Sequence, residues 1–181
     1  MRGWALIGAA VLLIVLLNAA RVGAAGYFAL RPGVTLESGD TWVSSGRRYR
    51  LYGVQSCLRG TSFINAARQT QDCGDASMAV FAAFIKDTEP QCASIAKAVD
   101  LDYVVCFSTV GGQQLDLATT LITEGYAFAS LDAKGLPINP SYAVAEQEAK
   151  QRRAGLWQFP SVQHPAVLLS SAANKERKEL P

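Results

Sequence analysis

Four cysteines between residues 57 and 106, Cys57, Cys73, Cys92 and Cys106, constrain this 181-residue chain more than any other feature. In an oxidising compartment an even set reads as two disulfides, each tying distant parts of the chain together. Four cysteines allow three pairings. Cys92 and Cys106 lie in adjacent apolar segments that read as neighbouring antiparallel strands, where facing Cα atoms are about 4.5 to 5.5 Å apart and can be bridged. Cys57 and Cys73 would then close a loop of about 16 residues, a constraint of about 3 kcal/mol in the chain-entropy picture. Zinc is the competing use of the thiols. No two cysteines stand at CxxC spacing, and the single histidine, His164, is remote in sequence.

The N-terminus bears on which compartment the thiols meet. Met1-Arg2-Gly3-Trp4 leads into an unbroken apolar run over 5–17, the layout of a secretory signal peptide. Small residues at Gly23 and Ala25 suit cleavage that leaves Gly26 first, so residues 1–25 are expected as a leader. The uncharged stretch from Gly3 to Ala20 is also near the shortest length that spans a bilayer, which makes a retained membrane anchor the alternative. Either reading places the remainder outside the cytoplasm, in the periplasm or secreted.

Without 1–25 the chain suits one domain over 26–169. The leader carries Arg2 and Arg21 away from 17 basic residues and takes no acidic one, leaving 15 against 15. A neutral body lacks the global basic footprint expected for nucleic acid.

Short β-prone runs dominate the first half. Segments 34–37 and 41–44 are separated by Ser38-Gly39-Asp40, and 48–54 alternates polar and apolar residues after the Ser45-Gly46 turn, which together predict a three-strand meander. Residues 59–72 are polar and aperiodic and are expected as a long loop. Met78, Phe81, Ala82 and Ile85 predict a helix opened by Asp75 and ended near Pro90. Strands are expected around 91–97 and 103–109, then a helix from Leu115 through Ala118, Leu121 and Ile122 that stops at Gly125. A last strand over 126–129 and a third helix over 141–154 follow, the latter with Glu146, Glu148, Lys150, Arg152 and Arg153 as a solvated face. Leu156-Trp157 should return Trp157 to the core, and 170–181 reads as a flexible charged tail. The class is α+β, mainly β, and five short strands with about three helices follow the order of an OB-fold barrel.

Several stretches, in order, resemble the staphylococcal-nuclease (thermonuclease) family: Ser38-Gly39-Asp40-Thr41, Arg50-Leu51-Tyr52-Gly53-Val54, Cys73-Gly74 entering a helix, Leu121-Ile122 before Gly125-Tyr126-Ala127, and Gly155-Leu156-Trp157. The resemblance covers about Val34 to Leu168. It implies a five-stranded OB barrel and, in active members, calcium-assisted phosphodiester hydrolysis: two aspartates hold the ion, a glutamate assists the water, and two arginines bind the phosphate. Such chemistry needs hard oxygen ligands and positive charge against the transition state.

Asp40 falls on one aspartate, the remnant metal position, and Arg50 on the first arginine. Gln55 stands where the second aspartate is expected and Leu58 where the glutamate is expected, and a leucine cannot move a proton. Residues 98–133 contain no arginine and no lysine before Lys134, so the second arginine has no counterpart. Losing a general base typically costs about 10² to 10⁴ in rate and losing an electrostatic stabiliser about 10² to 10³.

The expectation is therefore a non-catalytic binding or accessory protein of the cell envelope. The alternative is a weak or altered calcium-dependent nuclease, and only that reading calls for calcium or nucleic acid. The chain is also similar to small exported thermonuclease-like proteins associated with succinoglycan biosynthesis, which implies an acidic exopolysaccharide or an envelope protein as partner. Arg47, Arg48, Arg50, Arg59 and Arg68, with no acidic residue between them, are the candidate anion-binding set, because guanidinium matches carboxylate and phosphate bidentately. Their plainer use is as solvated arginines. Trp42, Tyr49 and Tyr52 are candidate stacking faces, with some expected in the core. His164 has no evident partner in sequence and is expected at the surface.

Overall fold

The structure, a computed structural model, describes residues 26–179. The expected leader or anchor over 1–25 lies outside the described residues. Strands β1 (Phe28–Ala29), β2 (Thr35–Leu36), β3 (Thr41–Ser44), β4 (Arg47–Leu51) and β5 (Val54–Ser56) come first, then β6 (Ser62–Ile64) and β7 (Thr70–Asp72). Helix α1 (Cys73–Thr88), strands β8 (Gln91–Lys97), β9 (Asp102–Val110) and β10 (Gln113–Asp116), helix α2 (Leu117–Thr123) and strand β11 (Ala127–Ala129) complete the β-rich part. Helix α3 (Pro140–Arg152), a 3₁₀ turn (Gly155–Gln158) and helix α4 (Pro165–Glu179) close the order.

The fold is α+β, mostly strands, around one curled mixed sheet that forms a half-barrel. Its strands run β1-β8-β9-β4-β3-β2, with β10 paired to β9. The β3–β4 and β8–β9 pairs are antiparallel hairpins, while β4 and β9 run parallel and bring Arg50 level with Tyr103. A separate β5–β11 pair and the β6–β7 hairpin flank the sheet.

Alternation within β3 and β4 sends Trp42 and Leu51 inward, where they meet Val54, Phe81, Ile85, Val104, Leu117 and Leu121 in the main core. Cys57, Phe63, Cys73, Phe128 and Leu156 form a second buried cluster. Burying apolar surface at roughly 25 cal/mol per Å² is the main force holding these layers together.

The cysteines pair as Cys57–Cys73 and Cys92–Cys106. Cys92 stands opposite Cys106 in the β8–β9 register. Two disulfides fit an oxidising, exported environment. Among the described residues no helix is long and apolar enough to cross a membrane.

Five expectations need correction. The stretch 59–72 is no loop but carries the β6–β7 hairpin, closed by Asn65, whose side chain accepts from Ala67 N and Gln69 N. Strands of three residues that bury a single side chain, Phe63, are too short for alternation to reveal. The second helix does not begin at Leu115, which is exposed on β10; Asp116 caps α2 by accepting from Thr119 N at 2.9 Å. Its end is as expected, a Schellman turn in which Tyr126 N donates to Leu121 O and Gly125 takes φ +77°. The charged C-terminal stretch is helical as far as Glu179, which makes four α-helices among the described residues where about three are expected. Helix α3 ends at Arg152 rather than at 154, capped by Arg153 in the left-handed region. Finally, Leu156 rather than Trp157 enters the core: Trp157 is only half-buried, edge-on to Phe128 with the Lys150 ammonium 4.4 Å over its ring.

Candidate functional site

A cleft of about 300 Å³ lies over β3, β4 and β5 and collects Asp40, Arg48, Arg50, Gln55, Leu58 and Arg59. Gly39 sets its floor. A Cβ there would come within 2.8 Å of Ser77 and 3.1 Å of Ser56, so only glycine lets the Ser38–Asp40 turn lie against α1.

Asp40 is 2% exposed and its carboxylate is fully engaged. Oδ1 accepts from Ser38 Oγ at 2.5 Å and Thr41 Oγ1 at 2.8 Å. Oδ2 accepts from Ser56 N at 2.9 Å and Arg50 at 3.2 Å. Four bonds use the lone pairs of an ionised carboxylate. Arg50 also donates to Gln55 Oε1 at 2.7 Å, while Gln55 Nε2 donates to Ser56 O at 3.1 Å. The amide thus accepts one bond from the guanidinium at the place where a second metal-binding carboxylate is expected.

These residues do not fit calcium. The ion takes six to eight oxygens, several of them carboxylate. Asp40 is saturated by protein donors, Gln55 Oε1 is occupied by Arg50, and Glu37 at the cleft edge pairs with Arg48 at 2.5 Å. Among the described residues no group of three or more His, Cys, Asp or Glu is placed to hold a metal ion.

The five candidate arginines do not form one cluster. Arg48, Arg50 and Arg59 line the cleft, but each is matched to a carboxylate, Arg59 to Asp75 at 3.1 Å. Arg47 reaches instead to Asp102 on β9 at 2.7 Å, and the hydrogen bond from its guanidinium holds the Asp102 carboxyl below its ordinary range. Arg68 sits on the β6–β7 turn with φ +61°. Of the three aromatic candidates Trp42 is wholly buried and Tyr49 is stacked on it with 5.7 Å between ring centroids. Only Tyr52 faces solvent, edge-on to Tyr103.

His164 is not a surface residue without partners. It lies edge-on to Phe128, its Nδ1 accepts from Ala166 N at 3.1 Å, and its Nε2 meets Glu146 Oε2 at 3.3 Å. Glu146, expected on a solvated face, is 5% exposed; it accepts from Ala129 N at 2.8 Å and pairs with Lys150 at 2.6 Å. Burial opposes its charge, but the donors from His164, Lys150 and Ala129 outweigh that cost and leave its carboxyl below the ordinary range. A signal for this was present. Tyr142, Ala145, Glu146 and Ala149 are the buried stripe of α3 at i, i+3, i+4 and i+7, so Glu146 sits where the helix period demands an inward side chain.

No protein-family model matches the chain and no curated protein matches it.

Proposed function

We propose that the chain is an exported, non-catalytic binding or accessory protein of the cell envelope, built on an OB-like barrel of thermonuclease type whose active-site cleft has become an anion-holding groove. The barrel reading is supported by the β2–β3–β4 meander, the parallel β4–β9 pair and the β8–β9 hairpin. One observation carries the loss of catalysis: Asp40 spends both oxygens inside the protein, and Gln55 and Leu58 supply neither a metal ligand nor a base. What the cleft retains is donor capacity. Arg48, Arg50 and Arg59 each have unused N–H groups beside a half-exposed surface, and guanidinium binds carboxylate or phosphate through paired donors. An acidic polysaccharide, with carboxylates repeated along a chain, is the partner we propose.

The test is titration of the protein with acidic and neutral exopolysaccharide fragments of equal length. Binding of the acidic fragments alone, weakened by salt and by Arg48→Gln with Arg59→Gln, supports the reading. Calcium-dependent cleavage of single-stranded DNA that a chelator abolishes would overturn it in favour of a weak nuclease. Gene deletion that leaves exopolysaccharide yield and polymer structure unchanged would remove the polysaccharide assignment.

A further inference from the structure

A cleft larger than the one over β3–β5, about 820 Å³, lies between β11, the turn over 131–137, α3 and α4. That volume falls within the range of small-molecule sites, roughly 300 to 1,000 Å³.

Its walls are apolar. Leu131, Ala133 and Pro137 form one side and Val167, Leu169 and Ala173 the other. Leu131, Val167 and Leu169 are exposed by 38%, 55% and 48%, although each is large enough to cost free energy in water. Leu136 and Ile138, at 60% and 40%, extend the same patch along the turn. An exposed apolar concentration of this kind marks a binding surface.

The polar groups of the cleft bear on the kind of ligand. Glu146 accepts from Ala129 N and pairs with Lys150 and His164, and Asp132 is turned to its own loop, Oδ1 accepting from Lys134 N and Leu136 N. His164 has both ring nitrogens engaged, so it is no free base. The donors are not exhausted. Arg177 makes one 3.3 Å bond to Asn174 and has no carboxylate partner among the described residues. Lys150 gives Glu146 one of its three ammonium hydrogens and is 38% exposed. The spare donors of Arg177 and Lys150 favour an acceptor-rich head, and apolar walls favour a hydrocarbon body.

We infer that this cleft binds a monomeric amphiphile with an anionic head, an acyl carboxylate or acyl phosphate ester, whose head meets Arg177 and Lys150 and whose chain lies between the 131–137 turn and α4. The site shares no residue with the Arg50 groove, so either assignment can fail without the other.

Calorimetric titration of the full chain with decanoate, below its micelle concentration, tests it. Saturable one-to-one binding is expected, with decyltrimethylammonium, which has the same tail and a cationic head, and butyrate, which lacks the tail, both weaker by about tenfold or more. Arg177→Gln should weaken decanoate by about fivefold, the scale of one exposed charge-assisted contact. Ala173→Trp, on an exposed helical position that lines the cleft, should abolish binding while circular dichroism stays unchanged. Equal binding of the anionic and cationic amphiphiles, or decanoate binding untouched by Ala173→Trp, overturns the inference. So does binding to anionic lipid vesicles without binding to the monomer, because that describes a membrane-adsorbing surface and not a cleft.

Discussion

Asp40 combines near-complete burial with four hydrogen bonds, and that combination defines its role. A side chain that satisfies Ser56 N, Arg50 and two hydroxyls holds the start of β3 against β5, and its removal orphans all four donors. Breaking a buried, hydrogen-bonded charge pair costs about 3 to 5 kcal/mol. Asp40→Ala is therefore expected to lower the urea midpoint of unfolding strongly, read by circular dichroism. A variant as stable as the parent would return Asp40 to the role of an available ligand. Glu146 makes the matching case in pH. Its folded carboxyl lies below the ordinary range, so the stability it contributes is complete above that range and is lost as pH falls through the lowered folded value. Glu146→Gln should melt lower than the parent at neutral pH, and the gap should narrow once pH drops below about 4. Melting curves of both proteins across pH 3 to 7 measure it; a constant gap contradicts the assignment. Asp102, held low by Arg47, adds to the same acid-side loss.

At the scale of elements, the Cys57–Cys73 bond fixes the β6–β7 hairpin. That hairpin buries only Phe63, against Phe159 and the second core cluster, and a two-stranded hairpin is at best marginal alone. Replacing both cysteines with serine should cost about 2 to 4 kcal/mol, with amide exchange accelerating first over 58–72. Uniform acceleration across the β3–β4 sheet would place the bond's contribution elsewhere. Gly125 closes α2 under a tighter constraint: it holds φ +77°, and a Cβ would sit 2.2 Å from Ala154 O. Gly125→Ala should cost more than the roughly 1 kcal/mol of a simple left-handed penalty, read by thermal melting. These two elements show what could be read in advance. The glycine stop and the Cys92–Cys106 partnership follow from turn chemistry and strand pairing, whereas which of Trp42, Tyr49 and Tyr52 turns inward does not. The hairpin over 59–72 escapes because its strands are three residues long and bury only Phe63, and the inward Glu146 escapes because tertiary partners satisfy a carboxylate that composition assigns to solvent. His164 hides its role for the same reason: its partner Glu146 is near in space and 18 residues away in sequence.

For the whole molecule, the central matter is whether the Arg50 cleft is a worn calcium site or a groove that only resembles one. Gln55 separates the two. It lies on β5, hydrogen-bonded to Arg50, with its amide where a carboxylate would stand beside Asp40. Gln55→Asp would set two carboxylates around one guanidinium in a half-buried cleft, and like charges so placed repel. In chelator the variant should melt below the parent. If the cleft keeps the geometry of a cation site, millimolar calcium should relieve the repulsion and raise its melting temperature, because a ligand that binds only the folded state stabilises it by mass action. The parent, whose oxygens are committed to Arg50 and the backbone, should show no calcium response. Hydrolysis should not appear, since Leu58 offers no base. A Gln55→Asp protein whose melting temperature ignores calcium would count against the thermonuclease-type barrel and would leave the arginine groove as a feature of this chain's own making.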